Sequence, residues 1–133
     1  MTRNARFGTG GEVVLRTIAM PAEANANGHV FGGWLLGQMD IGAAILARGI
    51  THGRVTTVAV DKVSFSRPVH VGDVVTCLAQ LERLGRTSMR IKIDAWVQRY
   101  ATSRRLKVAD GIFTYVAIDA KGQPRPVKRR AAT

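Results

Sequence analysis

The chain has 133 residues, with 20 lysines and arginines against nine aspartates and glutamates, so its formal net charge is +11. This length favours one domain with a sizeable core, because a domain of ~150 residues buries roughly two-thirds of its unfolded surface. A hydrophobic fraction of 46% argues against a disordered chain despite the high charge. The basic excess favours an anionic partner, and nucleic acid, an acidic membrane surface and a phosphorylated small molecule all remain open.

The single cysteine, Cys77, cannot form an internal disulfide and lies among strand-forming residues. We predict that it is a small core side chain in a reducing compartment. No apolar run follows the early arginines, so we expect no secretory signal and a cytoplasmic protein. Composition predicts a flexible leader at 1–11, one domain at 12–122 and a basic C-terminal tail at 123–133.

The first predicted element is a strand over residues 12–20, which is followed by a turn-rich loop around Asn25. The segment 31–47, FGGWLLGQMDIGAAILA, is apolar on nearly every face. It predicts a buried helix that stops at Arg48 and Gly49. A transmembrane helix is the weaker interpretation, because this segment of 17 residues is shorter than the ~20 required and contains a carboxylate.

The remaining chain changes to the period of two that strands follow. Partial alternation of β-branched and aromatic residues predicts four long strands, over 54–69, 73–84, 87–98 and 106–118. The third of these alternates most clearly, so we expect one buried and one solvated face. The breaks between the four strands are short enough for antiparallel neighbours, which predicts the order β-α-β-β-β-β.

A helix that is buried on all sides needs a surface that wraps around it. A strongly curved antiparallel sheet of about five strands provides such a surface. The expected fold is therefore α+β, with one long buried helix wrapped by this sheet.

Asp40 is the only acidic residue between Ala24 and Val60, and it lies in the middle of the apolar helix. Burying a carboxylate without a partner is costly, and the nearest basic residue in sequence, Arg48, is eight positions away. Two interpretations remain open. Asp40 is either a structural residue that faces water or forms an ion pair, or a catalytic base.

Asn25, Gly28, Gly32 and Gly33 lie where the chain enters this helix. The first turn of a helix presents unpaired N–H groups with a partial positive charge, and glycine leaves them accessible. An oxygen that gains negative charge during a reaction could bind there. Most such turns are simple helix caps, so this turn indicates a catalytic site only in combination with Asp40.

No other catalytic set competes with this one. The histidines His29, His52 and His70 lack metal-ligand spacing and no cysteine pair exists, so no metal site is expected. The serines lack the flanking glycines of a nucleophile elbow, and no GK[ST] follows the glycines at 8–11.

The chain resembles acyl-CoA thioesterases of the hot-dog fold, in particular the YciA-like group. The resemblance lies in MPAEANANGHVFGGWLLGQMDIGAAILA at 20–47 and in HGRVTTVAVDKVSFSRPVHVGDVV at 52–75. It continues through GRTSMRIKIDAWV at 85–97 and FTYVAIDAKGQPRPV at 113–127, so it covers most of the chain.

The resemblance implies hydrolysis of acyl-CoA to CoA and a carboxylic acid in fatty acid metabolism, without a cofactor. In that family an asparagine before the helix and an aspartate within it form the site across two subunits, which correspond to Asn25 and Asp40. The N–H groups near Gly32 and Gly33 would polarise the thioester carbonyl, and Asp40 would act as base or nucleophile. Members form dimers and commonly trimers of dimers, so we expect a hexamer.

The phosphates of CoA would account for part of the positive charge. Candidate contacts, some of which are ordinary surface charges, are Arg54, Arg67, Arg86, Thr87 and Ser88. Four apolar residues would line an acyl tunnel or equally well belong to the core, namely Val58, Val60, Val63 and Phe65.

Two departures and two alternative functions remain. The segment 99–107 and the tail residues Lys128, Arg129 and Arg130 are more basic than the fold needs, which leaves a second anionic partner open. A hot-dog enoyl-CoA hydratase or dehydratase would need an acid–base pair, for which His29 is the nearby histidine. A non-enzymatic regulator would bind acyl-CoA or nucleic acid, but dispersed basic residues and few aromatics argue against nucleic acid, and no membrane partner is expected.

Overall fold

The computed structural model describes residues 10–99, 102 and 104–127. Its elements are β1 (Glu12–Ile18), a 3-10 turn (Pro21–Glu23), α1 (Gly32–Thr51), β2 (Val55–Phe65), β3 (Val74–Leu84), β4 (Ser88–Gln98) and β5 (Arg105–Ala117). The predicted order of one helix among five strands is confirmed.

The strands form one antiparallel sheet in the order β1-β3-β4-β5-β2. The expectation that β2 and β3 are neighbours is wrong, because β2 forms an edge beside β5 while β3 lies between β1 and β4. The eight residues 66–73 between them can reach ~27 Å, whereas three strand spacings amount to roughly 14 Å. The connection is therefore long enough to join two strands that are not neighbours in the sheet. This connection passes the start of α1, where the Val30 N–H donates to the Val69 carbonyl at 2.8 Å.

Helix α1 packs on one face of the sheet through Leu35, Met39, Ala43 and Ala47, which are buried. On the opposite side of the helix, Ile41 and Ile45 are 52% and 49% exposed. The helix was expected to be buried on all sides. Within this chain it is buried only where it faces the sheet, because five strands cover one side of it.

Helix α1 runs to Thr51 and does not stop at Arg48 and Gly49 as predicted. His52 adopts a left-handed conformation with φ of 55°, and its N–H donates to the Arg48 carbonyl at 2.8 Å. This geometry closes the last turn of the helix. Gly49 has open space around its Cα, so the last turn accommodates it without a packing role.

Helix and sheet approach each other closely at Gly42. A Cβ added at this position would lie 2.9 Å from Cγ2 of Val14 and 3.5 Å from Cβ of Cys77. Cys77 is fully buried, as predicted, and burial raises the pKa of its thiol to about 12. The predicted apolar face of β4 is buried as well, from Met89 to Val97.

The chain after β5 packs against the end of the sheet where α1 also ends. The Val127 N–H donates to the Arg86 carbonyl at 2.8 Å, and Pro124 forms a bridge with Ile118. The packed chain thus extends to Val127, beyond the division expected at residue 122. The tail residues Lys128, Arg129 and Arg130 and leader residues 1–9 lie outside the described residues. No helix within the described part of the chain is long and apolar enough to cross a membrane.

Candidate active site

Asp40 lies on the flank of α1 that faces the β2 edge of the sheet. Its Oδ1 accepts a hydrogen bond from the Thr57 hydroxyl at 2.8 Å and from the Tyr115 hydroxyl at 2.6 Å. The Tyr115 hydroxyl also lies 2.7 Å from the backbone carbonyl oxygen of Asp40. The salt bridges among the described residues do not include Asp40. The carboxylate is therefore held by hydroxyl groups. The alternative interpretation, in which Asp40 forms an ion pair, is not observed among the described residues.

The two hydroxyl groups meet because of the register between β2 and β5. Thr57 and Tyr115 lie directly opposite each other in this pair, and opposite side chains point to the same face of a sheet. Tyr115 is buried, and a buried phenol requires a hydrogen-bond partner, which Asp40 supplies. Burial, together with the neighbouring Asp40 carboxylate, raises the pKa of Tyr115, so its hydroxyl remains a donor.

The two oxygens of the Asp40 carboxylate differ in their surroundings. Oδ1 receives both hydroxyl donors, whereas Oδ2 has no hydrogen-bond partner among residues 10–99, 102 and 104–127. The side chain is half-buried at the open edge of the sheet. Oδ2 is thus the oxygen available to accept a proton from water or to attack an electrophile.

The start of α1 borders a cleft of about 270 Å³, whose lining includes Gly32, Phe65 and Arg67. Phe31 precedes the helix and supplies no side-chain hydrogen bond to the first turn. A Cβ added at Gly33 would meet nothing within 4 Å. The Trp34 N–H donates to the Phe31 carbonyl at 3.1 Å, whereas the N–H groups of Gly32 and Gly33 have no hydrogen-bond partner within the described residues. These two N–H groups are open to an oxygen atom of a ligand.

Asn25 lies in the loop before α1. Its side-chain oxygen accepts hydrogen bonds from the backbone N–H groups of Asn27 at 2.8 Å and His29 at 3.1 Å. These bonds shape the loop, and the side-chain NH₂ group has no hydrogen-bond partner among the described residues, so it is available to a ligand. No hydrogen bond joins Asn25 to Asp40 within the described residues.

The five candidate CoA contacts lie at two opposite ends of the sheet. Arg67 is beside the start of β5, where its N–H donates to the Val108 carbonyl at 3.4 Å. Ser88 lies opposite Val116, near the other end of that strand. Arg54, Arg86 and Thr87 also lie at this second end, where their carbonyl oxygens accept hydrogen bonds from residues 117–127. A single chain therefore separates Arg67 from the other four candidates.

Most of the apolar residues of β2 are exposed in this chain. Val60 and Phe65 are 42% and 51% exposed, and β2 is an edge strand of the sheet that the described residues form. Phe65 also lies beside the start of α1, where its ring would contact a Cβ added at Gly32 at 3.7 Å. Val58 is exposed as well, whereas Val63 packs over Gly111. The alternative that these residues are core holds only for Val63.

His29 and His70 stack with ring centroids 5.0 Å apart and with nearly parallel planes. An isolated bridge joins their backbones next to the Asn25 loop. No hydrogen bond within the described part of the chain links either histidine to Asp40. The same part of the chain contains no group of three side chains placed to hold a metal ion.

Sequence reasoning missed Thr57 and Tyr115 as partners of Asp40. A signal for Tyr115 was present, because β5 alternates and places this phenol on the same face as Phe113 and Ala117, which are buried. A polar group on an otherwise apolar face needs a partner, and Asp40 was the unpartnered polar group of the helix. Thr57 carried no comparable signal, since threonines are common in strands.

A long helix against a five-stranded antiparallel sheet, with a carboxylate on the helix flank, defines an enzyme of the hot-dog class. Residues 27–101 match the model of the thioesterase superfamily, and the chain belongs to this family. It is 55% identical over 120 residues to the acyl-CoA thioester hydrolase YciA of Salmonella typhimurium, across 88% of this chain and 90% of that protein.

Solved structures agree with this assignment. A hexameric thioesterase from Yersinia pestis has a TM-score of 0.86 at 52% identity, across 90% of this chain and 98% of that chain. An aspartate-to-alanine variant of a hexameric broad-specificity acyl-coenzyme A thioesterase has a TM-score of 0.88 at 48% identity, across 90% and 88% of the two chains. The predicted hot-dog fold and the resemblance to acyl-CoA thioesterases are confirmed.

Proposed function

We propose that this protein hydrolyses acyl-CoA to CoA and a carboxylic acid, in the cytoplasm, with Asp40 as its catalytic carboxylate. The observation that carries the proposal is the orientation of Asp40, whose Oδ1 is held by two hydroxyl groups and whose Oδ2 has no hydrogen-bond partner within the described part of the chain. The reaction needs only water besides the substrate, so we propose that no cofactor takes part. CoA enters as part of the substrate and leaves as a product.

Two routes fit this geometry. As a base, Oδ2 takes a proton from water while the water oxygen bonds to the thioester carbon; the C–S bond then breaks and the proton passes to the CoA sulfur. As a nucleophile, Oδ2 bonds to the same carbon and releases CoA, and water then hydrolyses the resulting anhydride. Both routes place negative charge on the carbonyl oxygen. One backbone N–H donor at that oxygen is worth ~3 to 4 kcal/mol of transition-state stabilisation.

The distance along α1 supports a site that two subunits share. Asp40 follows Gly32 by eight residues, which is ~12 Å along a helix axis. One thioester group cannot contact both positions of the same helix. We therefore propose that the N–H groups near Gly32 and Gly33, and the side chain of Asn25, serve the partner subunit's Asp40.

Antiparallel pairing of two β2 edges would assemble such a site. An unpaired edge presents free N–H and C=O groups, and on β2 they lie beside the exposed Val60 and Phe65. A two-fold axis would place the Phe65 end of one β2 beside the Val55 end of the other. This arrangement moves Arg67 of one subunit toward the end of the partner that carries the other four candidates for the CoA phosphates.

We further propose a trimer of such dimers. The similar structures from Yersinia pestis and of the broad-specificity enzyme are both hexameric. The exposed Ile41 and Ile45 of α1 and the exposed Ile18 and Met20 at the end of β1 offer apolar surface for further contacts.

Thiol release from a panel of saturated acyl-CoAs by the wild type and by Asp40→Asn tests the activity. We expect kcat to fall at least ~100-fold, the lower range for loss of a general base. Glu12→Gln is the control, because it removes an exposed carboxylate at the start of β1, and it should retain wild-type activity. Retention of most activity by Asp40→Asn would contradict the proposal. Hydration of an enoyl-CoA without thiol release by the wild type would instead indicate a hydratase.

Co-expression of the Asn25→Ala and Asp40→Asn chains tests the shared site. Each variant alone should retain only a small residual activity. With random mixing, roughly half of the dimers contain one chain of each variant, and one of the two sites in each such dimer is intact. Activity should therefore return at roughly a quarter of all sites. No recovery in mixed oligomers, or an active monomer by light scattering, would contradict a site built from two subunits.

A further inference from the structure

We propose that Tyr115 is a positioning residue for the thioesterase reaction, which directs Oδ2 of Asp40 toward the substrate. The inference rests on the proposed function, because it assigns a role to Tyr115 only through the catalytic use of Asp40.

The Tyr115 hydroxyl contacts both the side chain and the backbone of Asp40. Its hydroxyl oxygen lies 2.6 Å from Oδ1 and 2.7 Å from the backbone carbonyl oxygen of Asp40. The hydroxyl carries one hydrogen, which the two acceptors share when the carboxylate is ionised. The phenol thereby ties the carboxylate to its own backbone and restricts rotation about the side-chain bonds.

The two donors to Oδ1 differ in how firmly the fold holds them. Thr57 is exposed within this chain, on the edge strand β2, so core packing does not fix its side chain. Tyr115 is fully buried on β5, between β2 and β4, where it lies opposite both Thr57 and Met89. A side chain that is locked by packing positions a catalytic group more precisely than an exposed one. Tyr115 is thus the rigid reference point for the carboxylate.

The arrangement also distinguishes the two oxygens of Asp40 in the reaction. The Thr57 and Tyr115 hydroxyl groups both donate to Oδ1. Because burial raises the pKa of Tyr115, the hydroxyl does not itself lose its proton to Asp40 in neutral solution. The proton that enters the reaction is therefore taken up at Oδ2.

The variant Tyr115→Phe tests the proposal, because it removes the hydroxyl and keeps the buried ring. We expect kcat for acyl-CoA hydrolysis to fall ~10- to 100-fold, the range for losing a hydrogen bond to a charged group. We expect KM to change less than ~3-fold, since the hydroxyl does not touch the substrate. A chain with 4-aminophenylalanine at position 115 keeps a donor and should recover most of the lost kcat.

The same substitution in the Asp40→Asn background separates positioning from a purely structural role. If Tyr115 acts through Asp40, Tyr115→Phe lowers the residual rate of Asp40→Asn by less than ~2-fold. A further loss as large as in the wild-type background, or a wild-type kcat in Tyr115→Phe alone, would overturn the proposal. High activity of Asp40→Asn would overturn the proposed function itself, which is a distinguishable result.

Discussion

The hydroxyl of Thr57 donates a 2.8 Å hydrogen bond to Oδ1 of Asp40. This bond joins the edge strand β2 to the middle of helix α1. Both groups belong to one chain. The carboxylate is therefore oriented before a substrate or a second subunit arrives, which is the arrangement that electrostatic preorganisation requires.

Thr57→Val removes this hydroxyl and keeps the branched shape of the side chain. We expect kcat to fall ~10-fold, because Oδ1 loses a donor while Tyr115 still holds it. Steady-state thiol release measures the effect. Thr57→Ser keeps the hydroxyl and serves as the matched control, with a kcat close to that of the wild type. Equal rates for the valine and serine variants would show that the hydrogen bond has no role in turnover.

Arg125→Ala should destabilise the end of α1. The guanidinium group of Arg125 donates to the Thr51 carbonyl at 3.4 Å and to the Ile118 carbonyl at 3.1 Å, which places a cation at the C-terminus of the helix. We expect the free energy of unfolding to fall by about 1 kcal/mol, as for loss of a favourable charge at a helix end. Urea unfolding at fixed protein concentration measures the change. Lys121→Ala, an exposed residue of the same segment, should change it by less than ~0.5 kcal/mol, and an equal effect of both variants would refute the capping role.

Stability should decline with rising pH above pH 9 because of Cys77. Burial raises the pKa of this thiol from 9.0 to about 12, so between these values the folded chain keeps a proton that the unfolded chain has released. The contribution is fully present below pH 9 and is lost as pH rises toward 12, with a slope of up to ~1.4 kcal/mol per pH unit.

Urea unfolding of the wild type and of Cys77→Ala between pH 8 and pH 11 measures this dependence. The free energy of unfolding should fall less steeply in the variant. Tyr115, whose pKa is raised by burial, contributes to the pH dependence of both proteins and cancels in the comparison. Parallel curves for the two proteins would contradict the role of the thiol.

The elements were predictable where local pattern decides them, and less so where packing does. The apolar run at 31–47 indicated α1, but its end at Thr51 depends on the His52 cap and the chain that packs there. The position of β2 at the edge beside β5 was not predictable, since the length of the 66–73 connection allows several strand orders. Exposure of Ile41 and Ile45 also depends on how much of the helix five strands can cover.

The sequence by itself determined that a lone carboxylate, Asp40, would lie within an apolar helix after a glycine-containing turn, because charge and periodicity are local properties. It did not determine which groups would hold that carboxylate. Thr57 and Tyr115 lie 17 and 75 positions from Asp40 along the chain. They meet at Oδ1 only through the register of β2 and β5, and register arises from the packing of whole strand faces on the core rather than from any local pattern.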